Sequence, residues 1–105
     1  MYNADNVFAK ILRKAVPAKV VFENDFVLAF HDINPKASVH VLVIPKGEYV
    51  NFSDFAKNGK NIDVFFKTVR EIAEDILKLK SYKVLTNNGE GAGQEVFHFH
   101  VHILA

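Results

Sequence analysis

The segment FHFHVHIL, residues 97–104, carries three of the chain's five histidines at strict alternation. Successive side chains on a strand point to opposite faces. His98, His100 and His102 therefore share one face, and Phe97, Phe99, Val101 and Ile103 the other. The apolar face needs a core. The histidine face needs polar partners, because imidazoles buried without them are costly. Three readings are open. Half-exposed strand histidines with no special duty suit one lone His better than three in alternation. A metal site is the second: a His-x-His pair can hold zinc if another ligand arrives from elsewhere. His98 and His102 would stand about 13 Å apart at the strand rise, too far to share one ion comfortably. The chain has no cysteine, and Glu95 is the nearest acidic residue. The third is covalent catalysis, in which a neutral imidazole nitrogen attacks an electrophile while neighbours hold its tautomer and meet the developing charge.

Elements able to position such a strand are legible along the chain. Asp5 or Asn6 can cap a short helix with Val7, Phe8, Ile11, Leu12 and Ala15 on one stripe, ended by Pro17. KVVFE (19–23) and FVLAFH (26–31) read as a hairpin around Asn24-Asp25. DINPKAS (32–38) is turn chemistry, and VHVLVIP (39–45) is a strand that Pro45 ends. Ile62, Phe65, Phe66, Val69, Ile72, Ala73, Ile76 and Leu77 repeat at the helical period, predicting a long helix over 61–79. YKVLTN (82–87) is a strand, NGEGAGQE (88–95) a loop, and 96–104 a final strand. Strands joined mostly by short connections predict class α+β: a five-stranded antiparallel sheet with one long and one short helix.

The totals bound the rest. One domain, 1–105, is expected from 105 residues. Lys plus Arg number 13 against 12 Asp plus Glu, a net charge of +1 that argues against binding duplex nucleic acid. A ligand with one or two phosphates needs only a local site. Without cysteine there is no disulfide and no thiolate zinc site. The first twenty residues include Asp5 and no unbroken apolar run, which does not read as a signal peptide. No stretch is long and apolar enough for a membrane span, so no membrane partner and a cytoplasmic location are expected.

Taken singly, other residues have plain readings. Phe8 and Ile11 suit a core, Asp32 a cap on the NPKAS turn, and His31 an ordinary strand position. GEGAG (89–93) superficially suggests a dinucleotide fingerprint but opens no helix. A loop whose backbone N–H groups can approach phosphate is more economical.

HFHVHIL, however, is similar to the motif of the histidine triad family, His-apolar-His-apolar-His followed by two apolar residues. FAKIL (8–12), residues 16–46 and residues 86–103 resemble its Hint branch in order and spacing, about two thirds of the chain. The resemblance implies a sheet-and-helix domain, usually a homodimer, that binds purine nucleotides and needs no cofactor. It implies a hydrolase or transferase of nucleoside phosphoramidates such as AMP conjugates. His100 would be the nucleophile, His98 an orienting neighbour, His102 within reach of the phosphate or leaving group, and His40 a supporting histidine. Asp32 would receive the ribose hydroxyls, and Phe8, Ile11, Phe30, His31 and Ile33 would wall base and sugar. Asn87, Gly93, Gln94, Glu95 and Val96 would meet phosphate and leaving group. Two other readings stay open: hydrolysis of dinucleoside polyphosphates, as in a neighbouring branch, or a nucleotide-binding scaffold with incidental turnover. Some bacterial members hold structural zinc through two cysteines and a histidine. Those positions are Asn6, Ala9 and Glu48 here, so that site is expected to be missing. Where relatives often carry serine, Glu95 would favour a basic leaving group such as a lysine amine.

Overall fold

A strand that is apolar on both faces must be covered on both sides, and residues 40–45 form such a strand. The computed structural model describes all 105 residues. Its strands are β1 (Val20–Glu23), β2 (Val27–His31), β3 (His40–Pro45), β4 (Lys83–Leu85) and β5 (Val101–Leu104). They form one antiparallel sheet in the order β1-β2-β3-β5-β4. β3 lies at its centre and is buried throughout.

Alternation sorts the sheet into two layers. Val27, Ala29, Val41, Val43, Val101 and Ile103 face the two helices α2 (Phe52–Asn58) and α3 (Ile62–Glu71), joining Phe55, Phe65, Val69 and Phe99 in the larger core. Leu28, Phe30, Leu42 and Ile44 face the other way, against Phe8 of the short helix α1 (Val7–Leu12). Leu42 pairs with His102, which puts His102 on this second face.

The α+β class and five-stranded antiparallel sheet are as expected; the helices differ from the expectation. α2 is a third helix. Asn51 Oδ1 accepts from the Asp54 amide at 2.9 Å, and Asp54 Oδ2 accepts from the Val50 amide at 2.8 Å. These bonds satisfy donors at the start of the helix from both directions. Asn6, rather than Asp5, caps α1, its Oδ1 accepting from the Ala9 amide at 2.9 Å. That helix stops ahead of Pro17: Lys14 turns left-handed at φ 63°, and the Ala15 amide reaches back to the Lys10 carbonyl at 2.8 Å. The stripe is also narrower, with Val7 and Ala15 exposed.

The hairpin turn is centred on Asp25-Phe26, one residue later than expected. Asn24 Oδ1 accepts from the amides of Phe26 and Val27, at 2.8 and 2.9 Å. α3 continues into a π-helical turn over Ile72–Ile76, and Phe66 of the α-helical part and Ile76 of the turn, both in the predicted stripe, are exposed.

The last strand is shorter than 96–104. The Phe99 amide bonds the Tyr49 carbonyl at 2.7 Å, and Thr86 Oγ1 donates to the His100 carbonyl at 2.7 Å. Backbone groups that a regular ladder would use are thereby engaged elsewhere. Phe97 consequently leaves the apolar face and is 37% exposed.

Candidate active site

Between α1 and its face of the sheet lies a cavity of about 530 Å³, a size suited to a small organic ligand. Phe8 and Ile11 of α1, Phe30 and His31 of β2, and Ile33 line it. Phe8 is both core and wall: it is 6% exposed, packs edge-on to Phe30 at 5.4 Å, and stands edge-on to His100 at 4.9 Å. Asn87, Gly93, Glu95 and Val96 come from the loop before β5, and Asp32, Asn34, Lys36, His40, His100 and His102 add to the polar lining. In that loop Gly89 and Gly93 hold φ of 95° and 94°, backbone that a Cβ would strain.

Hydrogen-bond partners determine where the ring protons sit. A carbonyl can only accept, so His100 Nδ1, 2.7 Å from the His98 carbonyl, carries the proton and donates it. Nε2 of His100 is then a bare lone pair. His40 Nδ1 accepts from the Lys36 amide at 3.0 Å, leaving the proton on Nε2. That nitrogen donates to His102 Nδ1 at 2.8 Å. His102 must therefore carry its own proton on Nε2, which is buried without a hydrogen-bond partner. The result is one nucleophilic nitrogen and one unspent donor on neighbouring rings, whose centroids are 5.1 Å apart.

Electrostatics keep both rings neutral. Burial lowers the His100 pKa below the ordinary imidazole value, against the opposing pull of the His98 carbonyl and Asp32. Burial, with the neighbouring His100 and His40, pushes His102 down to about 4.

Asp32, His40 and His102 bring ligand-capable atoms within 4.8 Å of one another. A cation there would need His40 Nε2 without its proton. That proton would have to move to Nδ1, where the Lys36 amide already points a donor. The donor set therefore fits proton-bearing chemistry better than a metal. At the positions of the implied zinc site, Asn6 spends its side chain on the α1 cap and Ala9 is buried.

Two sequence-predicted site residues lie outside the cavity lining. The His98 ring is 0% exposed, with Nε2 donating to the Pro45 carbonyl at 2.9 Å and Nδ1 bonded to the Tyr2 hydroxyl at 2.6 Å. His98 meets His100 through its backbone carbonyl, while its ring is sealed beside Phe8 on the α1 side of the sheet. Gln94 is also buried. Its Oε1 accepts from the Gly89 amide and its Nε2 donates to the carbonyls of Val50 and Val96, so it clasps the loop from behind.

Asp32 has a divided duty. Its Oδ1 accepts from the Asn34 amide at 2.8 Å, the turn cap expected of it, and its Oδ2 lies 3.4 Å from His40 Nε2. Sequence reasoning missed Lys36, which lines the cavity and orients His40, and the Val16–Ala18 wall. Lys36 sits between Asp32 and His40 in the sequence, a cue that could have found it. Val16–Ala18 has no periodic signal.

The family model described as HIT domain matches residues 13–105. An uncharacterized HIT-like protein of Rickettsia prowazekii is 46% identical over 107 aligned residues, covering 99% of this chain and 89% of that protein. A solved HIT family hydrolase from Clostridium thermocellum is 39% identical with a TM-score of 0.88, covering 98% of this chain and 91% of that one. A histidine triad protein from Clostridium difficile gives 37% identity and a TM-score of 0.88, over 100% and 93% of the two chains.

Proposed function

The chain belongs to the HIT family, and from that premise we propose that it is a nucleotide hydrolase of the Hint branch, acting on nucleoside phosphoramidates through a nucleotidyl-histidine intermediate. The observation that carries this reading is the tautomer of His100: Nδ1–H is tied to the His98 carbonyl and Nε2 is bare.

In the first step the Nε2 lone pair attacks phosphorus. The phosphorus–nitrogen bond breaks, its electron pair leaves with the amine nitrogen, and that nitrogen takes a proton from cavity water. In the second step water attacks the same phosphorus, the Nε2–phosphorus bond breaks, and the water's proton returns to solvent, freeing His100 and a nucleoside monophosphate. His102 Nε2–H donates to a phosphoryl oxygen as charge develops. It serves as a hydrogen-bond donor rather than an acid, since His40 supplies no second proton to its ring. Phe8, Ile11, Phe30, His31 and Ile33 enclose the purine nucleoside, Asp32 receives the ribose hydroxyls, and the Asn87–Val96 loop receives the phosphate. Glu95, on the leaving-group side, favours a basic amine such as lysine.

The protein is proposed to act as a homodimer. In support, edge strand β4 leaves Val84 and Leu85 exposed beside an unpaired ladder. Dinucleoside polyphosphate hydrolysis is the competing reading. Rates on adenosine phosphoramidate and a diadenosine polyphosphate, measured side by side, separate the two. The amidate should be the better substrate by kcat/KM, and His100→Ala should abolish its turnover while nucleoside binding persists. Preference for the polyphosphate would reject the assignment.

A further inference from the structure

Tyr2 stands outside the cavity, ahead of the first helix, yet its hydroxyl lies 2.6 Å from Nδ1 of the fully buried His98. The segment carrying it is pinned. Asn3 Oδ1 accepts from the Asp5 amide at 2.9 Å, the Asn3 carbonyl accepts from Asn6 Nδ2 at 2.8 Å, and Arg13 reaches the Ala4 carbonyl at 2.8 Å. The Tyr2 ring meets the His98 ring edge-on at 5.6 Å.

The direction of each bond follows from the partners. The Pro45 carbonyl can only accept, so the His98 proton is on Nε2 and Nδ1 is bare. Tyr2 O–H must therefore be the donor. The His98 ring is held at both nitrogens, by β3 on one side and by the N-terminal segment on the other. Its own backbone carbonyl, in turn, accepts from His100 Nδ1.

We infer that Tyr2 is a positioning residue: its hydroxyl fixes the His98 ring, and through the His98 carbonyl it holds His100 with Nε2 aimed at the phosphorus. This rests on the assignment of His100 as nucleophile. Without the hydroxyl, Nδ1 loses its partner in a site closed to bulk water, the ring gains rotational freedom, and the carbonyl that orients His100 drifts. Small misplacements of a reacting group cost rate steeply.

The test compares wild type with Tyr2→Phe, which keeps the ring and removes the oxygen. With adenosine phosphoramidate, kcat should fall by about tenfold, since positioning of a reacting group is lost, while KM stays unchanged because Tyr2 touches no part of the cavity. Nitrogen NMR of the histidine rings supplies a readout independent of turnover. Wild-type His100 should show protonated Nδ1 and bare Nε2, and Y2F should shift both signals toward a tautomer mixture. Unchanged kcat and unchanged His100 signals would overturn the inference. So would a joint loss of kcat, KM and melting temperature, which marks general loosening. If wild type itself does not turn over the amidate, the proposed function fails, and the ring signals alone decide the role of Tyr2. Should Y2F not fold, Asn3→Ala, which loosens the turn carrying Tyr2, should give the same signature in weaker form.

Discussion

A histidine acts as a nucleophile only while one ring nitrogen is unprotonated, and His100 meets that condition through two separate causes. Its Nδ1 proton is committed to the His98 carbonyl, and burial disfavours a second proton. The lowered pKa sets a sign. Protonation inactivates the ring, so the acid limb of kcat/KM should lie below the ordinary imidazole value of about 6.5. A pH–rate profile checks this, and an acid limb above that value would contradict it. His40 acts one ring further out, since its Nε2–H is what turns His102 into a donor at Nε2. His40→Ala should lower kcat by about tenfold or more. His40→Gln, which can still offer an N–H, should recover part of the loss in the same assay. The alternation of the histidines made His100 and His102 legible from sequence. It also put His98 on their side of the sheet, where its ring stands edge-on to Phe8 while Phe99 joins the opposite core, but it gave no sign that this ring would be fully buried and would meet His100 through the backbone carbonyl. Tyr2 was not legible, as nothing in a terminal tyrosine says which ring it will meet.

Among the elements, α2 shows how a local signal can be present and overlooked. Asn51 and Asp54 stand three apart before a short apolar turn, a capping pattern with Asn and Asp in place of the usual Ser and Glu. Its one fully buried side chain, Phe55, stacks on Phe99 at 4.6 Å and meets Phe65 edge-on at 5.1 Å. Phe99 lies between His98 and His100, so α2 supports this segment from the opposite face of the sheet. Phe55→Ala should cost about 3–5 kcal/mol of stability in urea denaturation, through lost burial and the cavity left behind. It should also lower kcat at temperatures where the protein remains folded. Stability loss with unchanged kcat would detach α2 from the site. β3 was legible because its apolar residues continue on both faces, whereas the shortening of β5 depends on Tyr49 and Thr86, partners distant in sequence.

For the whole molecule, the same buried rings make stability depend on pH. His98 is held down to about 4, chiefly by burial, and His102 likewise, while the unfolded chain titrates near 6.5. Between those values the unfolded state binds more protons, so stability falls as pH drops from about 6.5 toward 4 and is flat above that window. The His98 contribution is on the order of 3 kcal/mol. Urea midpoints across pH 4 to 8 should trace this decline, and His98→Asn should flatten part of it. The five-stranded antiparallel sheet with helical cover was readable from the sequence, but the strand order β1-β2-β3-β5-β4 and the cavity were not. The cavity arises from packing α1 and the segment after it over one face of β2, β3 and β5. The most direct test of the account is acid-quenched or alkali-quenched mass spectrometry of the protein mixed briefly with excess adenosine phosphoramidate. The account predicts a transient adduct with the mass of one nucleoside monophosphoryl group on His100, absent in His100→Ala. Full turnover with no such adduct at any time, or an adduct on another residue, would contradict it.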